Sequence, residues 1–81
     1  MSKVSETVMK VIAEELGVNL GDVTDSANII SDLDADSLDV VELMNTLEEQ
    51  FDIEISDDDA QKLVTVAEII AYVERKAQAV R

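Results

Sequence analysis

The first part of the chain carries apolar residues at the spacing of an amphipathic α-helix. They are Val4, Val8, Val11, Ile12 and Leu16. Gly17 follows directly, and glycine often lies just beyond a helix C-terminus because it adopts positive φ without steric cost. The pattern therefore predicts a first helix that ends near Leu16.

Residues 37–51 carry a second helical pattern, with polar signals at its start. Asp36 is a good N-cap residue, and Asp39 follows three residues on, where a carboxylate is favourable beside the positive end of a helix. On a helical wheel at about 100° per residue, the apolar residues of one side are Val40, Leu43, Met44, Leu47 and Phe51. Leu38 and Val41 fall among the acidic residues of the other side. A purely solvated face has no need of them, so this side is a candidate contact surface.

The remaining pattern predicts two more helices. Ser56 with Asp59 resembles a capping box and predicts a short third helix that continues to about Val64. Thr65 with Glu68 forms a second start of the same kind. The apolar face of the last helix consists of Val66, Ile69, Ile70 and Val73.

The connection between the first two helices, residues 18–36, shows no sustained period. We expect its apolar residues to pin it across the helices, and they are Val18, Leu20, Val23, Ile29, Ile30 and Leu33. Long ordered loops in small domains are often functional. The predicted fold is all-α, with four helices, a long loop between helices one and two, and a short third helix, in a single domain over residues 1–81.

The charge of the chain is strongly negative and unevenly placed. Asp and Glu number 19 against six Lys and Arg, for a formal net charge of −13, and residues 11–61 contain no basic residue. Such a surface repels nucleic acid and anionic lipid and favours basic protein surfaces. The chain has no cysteine and no apolar run of membrane-spanning length. We therefore expect a cytoplasmic protein that neither inserts into membranes nor binds nucleic acid.

Residues 32–43 read DLDADSLDVVEL, and their acidic spacing raises the question of a calcium loop. Asp32, Asp34 and Asp36 fit the first three ligand positions of an EF-hand. Ser37 stands where the loop requires glycine, and Leu43 occupies the closing position that requires glutamate. The pattern therefore does not support an EF-hand, and no metal ligand is predicted.

Ser37 is also a poor nucleophile within this chain. A serine hydroxyl needs a neighbouring base, but the chain has no histidine and the residues near Ser37 are carboxylates. We therefore expect no catalytic residue and no enzyme activity from this chain alone. Two interpretations of Ser37 remain, an ordinary residue in a capped helix turn or an exposed hydroxyl that another enzyme modifies.

The run DADSLDVVELMNTLEEQFDIEIS resembles the central region of acyl carrier proteins. The resemblance extends from the opening helix ending in ELGV to the segment TVAEIIAYV. It implies a four-helix bundle in which Ser37 receives a covalent 4'-phosphopantetheine arm from coenzyme A, with Asp36 and Leu38 completing the attachment motif. The closest likeness is to the stand-alone carriers of bacterial-type fatty acid synthesis.

The resemblance also implies which residues meet partner enzymes. On the recognition helix they are Asp39, Val41, Glu42, Glu48 and Glu49. In the third-helix region, the residues implied to flank the arm and the entrance to an acyl cavity are Ile55, Asp57, Ala60 and Leu63. The expected partners of this monomer are a phosphopantetheinyl transferase and fatty acid synthesis enzymes with basic patches.

Three positions depart from the family pattern. Asp34 replaces a usual glycine, Asn45 stands where an apolar residue often contributes to the contact surface, and Ser56 replaces a common proline. None of them touches the attachment chemistry. Two alternatives stay open: a carrier for a polyketide or another acyl or aminoacyl pathway, and an acidic interaction or divalent-ion-binding module without an arm.

Overall fold

The computed structural model of the chain describes residues 3–79 as four α-helices joined by loops. The helices are α1 (Lys3–Leu16), α2 (Ser37–Phe51), α3 (Asp57–Lys62) and α4 (Val66–Ala79). A single 3-10 turn, Leu20–Asp22, lies in the long loop between α1 and α2. The predicted all-α fold with a short third helix is confirmed. None of the described helices is long and apolar enough to cross a membrane.

The helix ends follow the local signals of the sequence. α1 ends before Gly17, whose φ is +67°. At the start of α4, Glu68 N–H donates to the Thr65 hydroxyl (3.2 Å) and Thr65 N–H donates to the Glu68 carboxylate (3.1 Å). Val64 N–H also donates to the Glu68 carboxylate (3.1 Å). The backbone N–H groups of Thr65 and Val64 together hold the pKa of Glu68 below its usual value. α3 ends at Lys62, two residues before the predicted end, because Leu63 turns to an extended conformation.

One hydrophobic core holds α1, α2 and α4 together. Its fully buried side chains in these helices are Val8, Ile12, Leu43, Leu47, Val66, Ile69 and Val73. They come from the predicted apolar stripes, and α1 packs against both α2 and α4. Val40 and Phe51 of the predicted α2 stripe are only half-buried at its edge. The core therefore fixes the rotation of α2 about its own axis.

The long loop packs against the helices through only part of its apolar set. Val23, Ile29 and Leu33 are buried, as expected. Leu20 and Ile30 are 51% and 50% exposed, so the prediction that they pin the loop is wrong. Leu20 begins the exposed 3-10 turn. Ile30 lies in a turn held by Asn28, whose side-chain oxygen accepts the N–H of Ile30 (2.9 Å).

The loop is fixed to the junction between α3 and α4 by backbone hydrogen bonds. Asn28 and Thr65 form an isolated antiparallel β-bridge. On either side of it, Ile29 N–H donates to the Val64 carbonyl (2.9 Å), and Val66 N–H donates to the Ala27 carbonyl (3.0 Å). The start of α4 and the middle of the long loop are therefore held together as one unit.

Candidate functional site

Ser37 is the first residue of α2, and a complete capping box places it there. The Asp36 carboxylate accepts the Asp39 N–H (2.9 Å), while the Asp39 carboxylate accepts the Asp36 N–H (3.2 Å). Ser37 itself is exposed, and its hydroxyl has no hydrogen-bond partner among residues 3–79. The site thus presents an uncommitted hydroxyl at a fixed helix start.

The backbone just before the site bends at Asp34. Asp34 has φ +60°, in the left-handed region that aspartate tolerates better than most residues with a Cβ. Leu33 and Ala35 on either side of it are buried, and Ala35 N–H donates to the Ile29 carbonyl (2.8 Å). The buried neighbours and this hydrogen bond therefore hold the bend at Asp34 in place.

A cleft of about 730 Å³ opens beside Ser37 and lies between α2 and α3. Its α2 lining runs from Ser37 to Glu48, which is about 16 Å along the axis at 1.5 Å per residue. The apolar lining consists of Ile30, Ala35, Val40, Val41, Met44, Ile55, Ala60, Leu63 and Val64. The polar lining consists of Asp36, Ser37, Asn45, Glu48, Asp57 and Gln61. A cleft of this composition suits an apolar chain with a polar group at one end.

The structure brings the predicted third-helix residues to this cleft. Ile55, Asp57, Ala60 and Leu63 all line it together with Ser37. Ile55 and Leu63 are buried, whereas Asp57 is exposed. Their contacts with an arm or a partner stay predictions. Other lining residues, such as Ile30, Gln61 and Val64, were not predicted from the sequence. Val40 and Met44 were predicted only as part of the apolar side of α2.

The outer side of α2 carries an exposed stripe, which we call the α2 outer face. It consists of Leu38, Val41, Glu42, Asn45 and Glu49. Leu38 and Val41 are 65% and 55% exposed, as their position on the wheel predicted. Asp39 and Glu48 lie at the edges of the stripe and are half-buried.

The two edge carboxylates are already committed to backbone hydrogen bonds. Asp39 caps α2, and the Glu48 carboxylate accepts the N–H of Ile55 (2.7 Å), just before α3. Glu42 and Glu49 are the exposed carboxylates of the α2 outer face. Of the four acidic residues predicted to meet partners on α2, these two are the freest to do so.

Two of the carboxylates before Ser37 have structural roles of their own. Asp32 accepts the N–H of Asn28 (2.8 Å), and Asp36 caps α2. Across the described range 3–79, no three metal-ligating side chains come together in a group that could hold an ion. The divalent-ion interpretation of this segment therefore gains no support from the geometry.

A contact that the sequence analysis did not foresee joins α3 to α4. Tyr72 is only 5% exposed, and its hydroxyl donates to the Asp59 carboxylate (2.8 Å). Burial, followed by this hydrogen bond, raises the pKa of Tyr72 to about 12. The same hydrogen bond holds the pKa of Asp59 below its usual value. Tyr72 is the only tyrosine of the chain and lies beside the apolar face of α4. This position is the one feature of the sequence that could have indicated a buried hydroxyl in need of a partner.

The comparisons with known proteins agree with this fold. The family model described as the phosphopantetheine attachment site matches residues 6–73. The solution structure of a candidate acyl carrier protein from Anaplasma phagocytophilum is 38% identical to this chain. That match covers 93% of this chain and 89% of that chain, with a TM-score of 0.84.

The family match and the structural likeness together show a carrier domain that bears a covalently attached group. The chain belongs to the family of acyl carrier proteins, and its cofactor is 4'-phosphopantetheine. The residues present fit this group, because Ser37 offers an unbonded hydroxyl and the cleft beside it has an apolar wall. Proteins of this family are carriers, and they interact with the enzymes that modify them and process their acyl groups.

The single tyrosine gives a direct spectroscopic test of the contact between α3 and α4. We expect the phenol absorbance of the folded protein to titrate near pH 12, against about 10 in the unfolded chain. The raised pKa means that the protonated Tyr72 hydroxyl stabilises the folded state. This contribution to the free energy of unfolding is complete below about pH 10 and is lost as the pH rises towards 12. Asp59→Ala should lower the folded midpoint, and Asp58→Ala should not. A parent midpoint near 10 in folded protein would contradict the contact.

Proposed function

We propose that Ser37 is the attachment residue and that the chain carries acyl intermediates of fatty acid synthesis. The observation that carries this proposal is the juxtaposition of an exposed, unbonded Ser37 hydroxyl, a capped helix start and an apolar-lined cleft. The motif residues Asp36 and Leu38 lie on either side of Ser37. The monomeric state and the cytoplasmic location expected from the sequence stay predictions within this proposal.

Ser37 acts here as a substrate of another enzyme. The transferase supplies the base that removes the hydroxyl proton, so the lack of histidine in the chain is no obstacle. The backbone N–H groups at the start of α2 favour a phosphate at this position. When bound, the cofactor supplies a thiol that holds an acyl group as an activated thioester.

The cleft gives the chain a place to shield an acyl group. Burial of apolar surface contributes about 0.8 kcal/mol per methylene, so a long acyl chain has a larger drive to enter than a short one. The half-buried Val40 and Ala60 and the buried Met44 supply apolar surface on facing sides. The protein can therefore hold different intermediates in one site, with retention that rises with chain length.

The α2 outer face is the surface we propose for partner enzymes. Leu38 and Val41 offer a small apolar spot, and Glu42 and Glu49 offer exposed negative charge beside it. Basic patches around a small hydrophobic contact are complementary to this surface. Asn45 lies within the same stripe, so the apolar spot on α2 is limited to those two side chains.

The attachment proposal is tested by intact mass after incubation with coenzyme A, Mg²⁺ and a phosphopantetheinyl transferase. We expect the parent protein to gain one phosphopantetheine group. Ser37→Ala should gain none while keeping the helical circular dichroism of the parent. Ser31→Ala is the matched control, because Ser31 is exposed in the preceding loop, and it should be modified like the parent. Modification of Ser37→Ala would place the arm elsewhere.

The recognition proposal is tested by reversing one charge on the α2 outer face. We expect Glu42→Lys to weaken binding to a transferase or ketosynthase by roughly tenfold or more at low salt, because like charges then meet across the interface. The loss should shrink as salt screens the charges. Glu14→Lys, an equal reversal at an exposed position of α1, is the control. Equal binding by Glu42→Lys and the parent at low salt would rule out this surface.

A further inference from the structure

α3 is held in the fold by few contacts of its own. All of its six residues are described, and none of them is buried. The apolar anchors lie outside it, with Ile55 before the helix and Leu63 after it. A helix of this length is not stable through its backbone hydrogen bonds alone. Its position therefore depends on side-chain contacts with the neighbouring helices.

The two sides of α3 face different neighbours. Asp57, Ala60 and Gln61 line the cleft next to α2. At about 100° per residue, Asp59 lies roughly 160° from Asp57 around the helix axis. Its carboxylate meets Tyr72 of α4. One side of α3 thus forms the wall of the cleft, and the opposite side is attached to α4.

The Tyr72 hydroxyl, which donates this hydrogen bond, is fixed much more firmly than the Asp59 carboxylate, which accepts it. The Tyr72 side chain is buried, and the cationic groups of Arg75 and Lys76 lie 5.7 and 5.5 Å from the centre of its ring. Val73, its neighbour in α4, is fully buried in the core. A bond from this fixed hydroxyl to the Asp59 carboxylate therefore restrains α3 far more than it restrains α4.

We propose that the Tyr72–Asp59 hydrogen bond ties α3 to α4 and so keeps the cleft between α2 and α3 open for the acyl chain. Tyr72 and Asp59 are then positioning residues for the cargo, although neither of them lines the cleft. The part that concerns cargo rests on the proposed carrier function. The part that concerns the position of α3 does not.

The physical advantage is preorganisation of the cleft wall. Where α3 is already ordered, an entering chain gains apolar burial without the entropic cost of ordering that wall. Where the bond is absent, the entropic cost of ordering α3 offsets part of the favourable free energy of apolar burial. The effect should be small for an acyl group too short to reach the cleft and larger for a long one.

The first measurement is amide hydrogen exchange of the unmodified 81-residue chain. In Tyr72→Phe and in Asp59→Ala, exchange of the α3 amides, residues 57–62, should rise roughly threefold to tenfold, the factor that corresponds to one ordinary hydrogen bond. Exchange in the core of α1 should not change. Asp58→Ala is the matched control, because it removes an exposed carboxylate from the same turn, and it should exchange like the parent.

The second measurement is the rate at which hydroxylamine cleaves acyl thioesters on the arm-bearing proteins. In the parent, a long saturated acyl chain should be cleaved more slowly than acetyl. In Tyr72→Phe and Asp59→Ala, this protection of the long chain should fall roughly threefold to tenfold, with acetyl unaffected. Asp59→Asn keeps an acceptor for the Tyr72 hydroxyl and should restore most of the protection.

The outcomes separate this proposal from the carrier proposal. If α3 exchange in Tyr72→Phe and Asp59→Ala equals that of Asp58→Ala, the hydrogen bond does not hold α3 and the proposal is overturned. If α3 exchange rises but protection of the long chain is unchanged, the link to the cleft is overturned. If no arm can be attached to Ser37, the carrier function fails, and the exchange result on unmodified protein still decides whether the bond holds α3.

Discussion

The position at which α2 begins controls the rest of the site. The reciprocal hydrogen bonds of Asp36 and Asp39 fix that start, and the buried Leu43 and Leu47 fix the rotation of the helix. A shift of the helix pattern by one residue would rotate every side chain by about 100°. Ser37 would then leave the mouth of the cleft, and the acidic side chains would leave the outer face. One local constraint thus sets the positions of Ser37, the cleft lining of α2 and the exposed acidic side chains together.

The protein uses its many carboxylates in two different ways. Some are bound to backbone donors at helix starts, as Asp36, Asp39 and Glu68 are. Others are exposed on the surface, as Glu42 and Glu49 are. Capping carboxylates stabilise the fold, whereas exposed ones repel each other and attract basic partners. A net charge of −13 is therefore partly structural and partly available for recognition.

Helix starts, helix ends and core stripes could be predicted because they depend on residues close together in the sequence. The Asp36–Asp39 and Thr65–Glu68 boxes each join residues three positions apart, and the structure contains both. The exposure of Leu20 and Ile30 could not be predicted, because a loop without a repeating pattern does not indicate which of its apolar side chains are buried. The turn that exposes Ile30 depends on the side chain of Asn28, a role that periodicity does not reveal.

The cleft and the Tyr72–Asp59 hydrogen bond were harder to predict from the sequence. Ser37 was predicted as the attachment residue only because its motif resembles that of a known family. The third-helix residues were predicted to line the cleft from the same resemblance. The bond between Tyr72 and Asp59 joins residues 13 positions apart on different helices. It depends on how α3 is oriented, which neither capping nor periodicity specifies. Tertiary contacts of polar side chains are the part of this site that required a structure.

The most direct test of the account is mass spectrometry of the protein isolated from the cells that make it. Digestion and fragmentation would locate any modification and identify any acyl group attached to it. The account predicts a phosphopantetheine group on the peptide that contains Ser37, with fatty acyl intermediates of several lengths on a fraction of it. A peptide that carries only unmodified Ser37, in cells actively making lipid, would contradict it.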